Sequence, residues 1–410
     1  MRNIILTVAY IVLNICLLST PSKAQQGTTS KVDDIAYSTD GKRIAIADAP
    51  SICGLDQSEY RVIVVDAQTL SPVTTLLGHS CAISDLAWSP DGTVIVSGGT
   101  EGIAIVWDVS TGIQVSSSEL VDYGIGDLTW NPDSTLYIGI TGGNAYVFDS
   151  TSGQIIDTHT GNTSISAISW GSNNVVAYGD IYGQIRLWNY LTSQEIITIP
   201  QHNSHVRLIE WNRQSTQFAS VDRDEVVNIW DSTGNFIRSF QLDTYVTDLV
   251  WNPDGSQIII GKINDGAEIR DVATGQKLVD VVADQPLTAI AWSPDGNQIV
   301  YGFRPSQDDL IEVVEVSTLF PTRPIADAGA DITILANPNG TANVILDGSD
   351  STDSDGAIVS YEWSESSKLL GTGISQTVTL PIGTHTIHLE VTDDSSQTDM
   401  DTIIVTVEEL

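Results

Sequence analysis

The chain has 410 residues and carries 17 Lys and Arg against 52 Asp and Glu, a formal net charge of −35. Such a surface repels nucleic acid and anionic membranes, and no basic stripe or row of aromatics offsets it, so neither is expected as a partner. With 33 Gly, three Cys and two Met, the composition fits a turn-rich β-protein with room for one large domain and one small one.

The first 24 residues, MRNIILTVAYIVLNICLLSTPSKA, place one Arg ahead of an apolar run from Ile4 to Leu18 and end on small residues around Lys23. This is the pattern of a secretory signal peptide, and the run is short for a spanning helix. Residues 1–24 are expected to be removed and the mature protein exported: secreted, extracellular or at the cell surface, or periplasmic, without membrane insertion. Their loss leaves 15 − 52 = −37.

From about residue 28 one pattern repeats. Its clearest copy is Ser84–Gly112, SDLAWSPDGTVIVSGGTEGIAIVWDVSTG. A short apolar strand closes on Trp88, a Ser-Pro-Asp-Gly turn comes next, and two more strands end at Ser97 and Trp107-Asp108. The runs alternate or are β-branched, and Gly, Pro and Asp bound them. The aromatic that closes the first strand recurs at Tyr37, Trp88, Trp130, Trp170, Trp211, Trp251 and Trp292. After a first interval of 51 residues the spacing is 42, 40, 41, 40 and 41. A period near forty with four strands per unit predicts propeller blades, and seven anchors predict seven blades. The third-strand ends give the same number: Val65-Asp66, Trp107-Asp108, Phe148-Asp149, Trp188-Asn189, Trp230-Asp231, Arg270-Asp271 and Val314-Glu315.

With Gly78-His79, Trp107-Asp108 and Trp230-Asp231, residues 28–320 resemble the WD-repeat β-propellers. That resemblance implies a hydrogen-bonded His, Ser or Thr, Asp and Trp in each complete blade. Counting back from the strand Trp assigns two such sets: His79, Ser97, Glu101 and Trp107, then His202, Ser220, Asp224 and Trp230. Blade four has Gly161, Tyr178 and Tyr182 at those places and is expected to hold by packing. Blade one carries a longer loop, DAPSICGLDQSEY, that contains Cys53, while Cys81 lies just after His79 in the link to blade two. In WD-repeat propellers both loop types open on one face, and export permits a disulfide, so Cys53 and Cys81 are expected to pair. On that same face the links supply Tyr123, His205 and Tyr245, and hairpin loops supply Tyr182, Arg223 and Arg304. Tyr and Arg are enriched at binding hot spots, so these six form the candidate binding ring. The piece that closes blade seven is expected to be short, whether it comes from the little mature chain before the first blade or from the segment after the third strand that Pro321 interrupts, and an uncovered edge invites pairing with another chain.

At Pro324 the composition changes. Strands recur every 8–12 residues without the blade pattern. Ala328-Gly329, Asp347-Gly348-Ser349, Asp353-Ser354-Asp355-Gly356, Tyr361-Glu362-Trp363, Gly383-Thr384 and Val391-Thr392-Asp393 give residues 324–410 a resemblance to PKD domains, which implies an immunoglobulin-like β-sandwich. Tyr361 and Trp363 are expected in its core, with Glu362 facing out. The fold expected is therefore all-β: a seven-bladed β-propeller at 25–323, then an immunoglobulin-like sandwich. No cofactor is expected. Asp353, Asp355 and Glu362 approach calcium-loop spacing, but the run is read first as an ordinary turn and only second as a Ca²⁺ site.

Two functions from different classes are compatible with these features. In the first the chain is an exported non-enzymatic interaction scaffold that binds a protein or peptide ligand on the loop face, with the PKD-like module as a spacer or a contact to extracellular glycan. In the alternative it is an extracellular hydrolase or lyase with a channel site. The histidines argue for the first, since His79 and His202 are taken by the scaffold and His385 and His388 face opposite sides of one strand. No Gly-x-Ser-x-Gly elbow with a partner His appears. No catalytic residue is assigned.

Overall fold

The computed structural model describes residues 31–49, 53–54, 60–120, 124–161, 163–171, 174–200, 202–281, 286–303, 311–320, 322–354 and 356–410. The leader at 1–24, most of the blade-one insertion, Tyr123, Arg304 and Asp355 lie outside the described residues. The chain divides into two compact units, with the division at Val316 and Ser317, so the short helix Val316–Leu319 falls at the boundary.

The first unit is a ring of seven antiparallel sheets, six of four strands and one of three. Each is a meander. Blade one runs Lys31–Tyr37, Arg43–Ala49, Arg61–Asp66 and Pro72–Leu77 in that order across the sheet. First strands of the later blades are Ile83–Trp88, Leu128–Trp130, Ile165–Trp170, Val206–Trp211, Val246–Trp251 and Leu287–Trp292. Each lies against the first strand of the next blade, and Leu287–Trp292 returns to Lys31–Tyr37, so the ring closes. The sequence explains the layering. Second and third strands are near-continuous apolar runs because both faces are covered: Ile103–Asp108 is buried at its four central positions, as expected for a strand between neighbours. Outer strands are mostly exposed, as in Gln194–Ile199. Among the described residues blade seven has three strands, Leu287–Trp292, Gln298–Phe303 and Ile311–Glu315.

The turn from first to second strand needs one residue in the left-handed region. Glycine supplies it at Gly41, Gly92, Gly255 and Gly296, while Ser134 (φ 60°) and Ser215 (φ 52°) do so in blades three and five. A side chain there costs roughly 1–2 kcal/mol. It is offset by an Asn at the start of the turn: Asn131 Oδ1 accepts from Thr135 N and Leu136 N, and Asn212 Oδ1 from Thr216 N and Gln217 N.

The second unit is a sandwich of one five-stranded and one two-stranded sheet. Its core holds Trp363, Leu346, Ile387, Leu389, Val391 and Val405, with Tyr361 packed against them partly buried. Glu362 is exposed. Trp363 Nε1 donates to Gly373 O at 3.1 Å, which satisfies the one polar atom of the buried ring.

Candidate interaction face

Two blades are locked by the hydrogen-bonded set that carries the WD-repeat resemblance. In blade five His202 Nε2 and Trp230 Nε1 meet on Ser220 Oγ, at 2.7 and 2.8 Å. The acid is Asp222 and not Asp224: His202 Nδ1 lies 3.0 Å from Asp222 Oδ2. The physical reason is position. Asp222 ends the second strand and is 1% exposed, whereas Asp224 sits two residues on in the exposed hairpin loop, where its N–H donates to Asp222 Oδ1. Burial holds the His202 imidazole below its ordinary range despite that carboxylate. In blade two His79 Nε2 and Trp107 Nε1 share Ser97 Oγ in the same way, and Nδ1 lies 2.6 Å from Glu101 Oε1. Here the acid does come from the loop. The residue equivalent to Asp222 is Gly99, whose missing side chain leaves the space that the longer Glu101 fills.

Blade four is not held by packing alone. His159 Nε2 contacts Tyr178 Oη at 3.1 Å, Tyr178 donates to Glu195 Oε1 at 2.6 Å, and the His159 ring stacks on Trp188 at 4.3 Å. Buried Asp180, in the place of Asp222, accepts from Arg186 Nη1 at 3.1 Å. The sequence pattern does not flag His159, because it sits two residues before the place where the repeat puts a histidine.

On the opposite side of this scaffold from the Pro-Asp-Gly turns, four of the six ring candidates are described, and they fall on neighbouring blades. Tyr182 lies in the blade-four hairpin loop, 67% exposed, its N–H donating to Asp180 Oδ1. His205 and Tyr245 come from the links into blades five and six. Arg223 comes from the blade-five hairpin loop, its N–H donating to His205 O at 2.9 Å. Arg207, which sequence reasoning does not single out, packs on one of them, Tyr245. It is the bulged residue of the strand Val206–Trp211. Its guanidinium lies 4.1 Å over the Tyr245 ring, donates to Glu225 Oε2 at 2.8 Å, and reaches Val246 O of the next blade at 3.0 Å. Burial, with the charges of Arg223 and Arg207, lowers the His205 pKa. The signal that would have found Arg207 is an Arg at the place where other blades carry Ser84, Ser166, Thr247 and Thr288. The Cys53–Cys81 disulfide, with Cα atoms 4.3 Å apart, ties the blade-one insertion to the next link.

The bore of the ring is lined by carboxylates that recur, in four blades, three residues before the aromatic that closes the first strand. Asp34, Asp85, Asp127 and Asp248 each accept a backbone N–H from the next blade's first strand: Leu86, Leu128, Ile168 and Ile290, at 2.5–2.9 Å. Enclosure, then neighbouring carboxylates, push Asp85 well up and Asp248 up to about 7. Glu210 has water access from the bore, yet the same causes push it up to about 8. Trp88, Trp130 and Trp251 add a second link by donating Nε1 to Ala36, Ala87 and Glu210 carbonyls of the preceding blade. The repeated Asp and Trp are thus staples between blades.

In the sandwich, Asp353 lies beside Asp394 around Gly356, and Glu362 projects from a strand paired to Thr372 and Glu390. Among the described residues no three His, Cys, Asp or Glu side chains converge as a metal cage. The six histidines are spread: His385 pairs with Glu365 and His388 with Thr402. No described helix is long and apolar enough to cross a membrane.

Comparison with known proteins matches this geometry. Residues 70–108 and 193–231 match the family described as WD domain, G-beta repeat, which are the stretches that hold the two complete tetrads. Residues 328–407 match the K319L-like, PKD domain family. Similar curated proteins include the eukaryotic translation initiation factor 3 subunit I of Nematostella vectensis, 20% identical over 49% of this chain and 65% of that protein. Protein FIZZY-RELATED 3 of Arabidopsis thaliana is 23% identical over 45% of this chain and 40% of its own length. The WD repeat-containing protein slp1 of Schizosaccharomyces pombe is 26% identical over 38% and 34%. The match spans less than two thirds of each relative. The chain is a seven-bladed β-propeller with WD-repeat matches in two stretches, followed by a β-sandwich that matches PKD domains.

Proposed function

We propose that this protein is an exported, non-enzymatic interaction scaffold whose propeller binds a protein or peptide on the face formed by blades four to six. The observation that carries the reading is that Tyr182, His205, Arg223 and Tyr245 all sit in loops and links of blades four to six on one face, with Arg207 packed on the Tyr245 ring. This face offers the exposed aromatic rings of Tyr182 and Tyr245 and the exposed guanidinium of Arg223 on a rigid frame, side-chain types that dominate interface hot spots. The WD repeats and the WD-repeat relatives support the scaffold class. The dispersed histidines, each with its own scaffold partner or loop position, support binding over turnover. The leader pattern and the Cys53–Cys81 disulfide support export.

The partner's chemistry is set by charge. The acidic surface favours a partner that is basic or neutral overall, with an association rate that falls as salt is added. Locally, Arg223 makes no ion pair among the described residues and fits a carboxylate of that partner. The PKD module acts as a spacer or glycan contact. The test is affinity for a partner purified from the organism's secreted fraction. Tyr245→Ala or Arg223→Ala should weaken binding by about 1–2 kcal/mol or more with melting unchanged. Unchanged affinity in the triple Tyr182, Arg223 and Tyr245 alanine variant would remove the proposal.

A further inference from the structure

Blade six departs from the other blades at the place where blade five holds its tetrad. Leu242, Ile260, Lys262 and Arg270 stand where His202, Ser220, Asp222 and Trp230 stand one blade earlier. The hydrogen-bonded filling is gone, and a cavity of about 620 Å³ opens there. That is the size of a small-molecule site.

Its floor is a cation held loosely. The Lys262 side chain is 10% exposed, and its nearest carboxylate oxygens are Glu268 Oε2 at 3.5 Å and Asp280 Oδ1 at 3.7 Å. Both are beyond direct hydrogen-bond range. Each carboxylate is engaged more closely by another cation: Glu268 by Arg270 Nε, and Asp280 by Lys277 Nζ at 2.7 Å. Arg270 is fixed over the Phe240 ring at 4.8 Å and donates to Gly275 O. The ammonium borders the cavity with only long ion pairs around it, which leaves it able to take a closer acceptor from a ligand. At the rim, exposed Asp243 and Asp265 line the same cavity and make no ion pair among the described residues. The charged lining sums to 3 − 4 = −1, from three cations and four acids.

We infer that this cavity binds a basic amino acid, free or as the C-terminal residue of a peptide. The α-carboxylate enters toward Lys262 and Lys277, and the cationic side chain pairs with Asp243 and Asp265. An anion alone would meet the net negative rim, and a cation alone would meet the cationic floor; a ligand bearing both charges satisfies both ends. This site is separate from the ring of Tyr182, Arg223 and Tyr245 and stands if that reading fails.

Titration calorimetry on the full chain tests it, with three probes: L-lysine, an acetylated tripeptide ending in lysine with a free carboxylate, and the same tripeptide as its amide. The expected result is binding of one or both carboxylate probes at about 1 mM or tighter, with the amide at least about tenfold weaker. Binding of L-lysine assigns a free amino acid; binding of the tripeptide alone assigns a peptide terminus. Lys277→Ala and Asp243→Asn, both at solvent-accessible positions, should each weaken binding about tenfold with an unchanged melting curve. The inference is overturned if neither carboxylate probe binds, if the amide binds equally well, or if both variants bind as the parent does.

Discussion

Blades five and six occupy neighbouring places in one ring, share the same meander and are filled in opposite ways. In blade five a buried imidazole, hydroxyl, carboxylate and indole satisfy one another at 2.7–3.0 Å. In blade six two cations and two acids occupy the same space with looser contacts around Lys262. The apolar layer between them is common: Val221, Val227 and Ile229 of one blade pack with Leu249, Trp251 and Ile260 of the other. Blade geometry is therefore set by that layer and by the inter-blade staples, while the outer filling is free to vary. Where it varies toward charge, a cavity appears.

The largest effect that separates the two blades is expected at the residue before the third-strand Asp. Trp230 is fully enclosed, and Trp230→Ala should cost about 3–5 kcal/mol in chemical denaturation. Arg270→Ala, at the equivalent place, should cost clearly less, on the order of 1 kcal/mol, because a partly solvated ion network can rearrange. Equal losses would mean that the two fillings carry equal loads. A smaller contrast lies within blade five. Asp222→Asn should cost roughly 1–3 kcal/mol, since it disturbs a buried bond to His202, whereas Asp224→Asn should stay within about 0.5 kcal/mol.

The pH response should distinguish the blades with a smaller amplitude. His202 has a depressed pKa, so its folded form favours the neutral ring. That contribution is complete above its unfolded value of 6.5 and is lost as pH falls through the folded one. Asp280 is also depressed, through its hydrogen bond to Lys277, but from an unfolded value of 3.8. Between pH 7 and 5, amide exchange in Gln217–Asp222 should therefore speed up relative to Gln257–Lys262, and His202→Gln should abolish the difference. The bore carboxylates bear on both blades alike: raised pKa values favour the ring at low pH, and that contribution is lost as pH rises through about 7 to 8. Equal exchange at both pH values would contradict the assignment of the imidazole as the titrating group.

Much of the architecture is legible in the sequence because it is periodic. The seven anchors from Tyr37 to Trp292 fix the blade count, the turn residues fix the strand order, and the shift at Pro324 marks a second kind of domain. The cysteine pair is legible from scarcity. The features that escape reading depend on three-dimensional reach. Counting from Trp230 gives Asp224, since sequence distance does not say which of two nearby acids is buried beside His202. His159 is out of register, yet its ring stacks on Trp188. Asp34, Asp85, Asp127 and Asp248 recur three residues before the anchor, but that spacing does not say that their partners are backbone amides 41–52 residues away. The blade-six network has no motif at all, as charge pairing tolerates many spacings. Within the candidate face, Tyr182, His205, Arg223 and Tyr245 can be read from loop composition, whereas Arg207 sits at a strand bulge and is visible only by aligning the blades, as an Arg where others carry Ser or Thr.

The most direct test of the face assigned to binding is site-specific photocrosslinking in the presence of the secreted partner fraction. One photoreactive residue replaces Tyr245 on the blade-six link, and another replaces exposed Asp133 in the blade-three turn at the other side of the ring. A discrete crosslinked species is expected from position 245 and none from position 133. A crosslink from position 133 alone would contradict this assignment and move the binding surface to the opposite face.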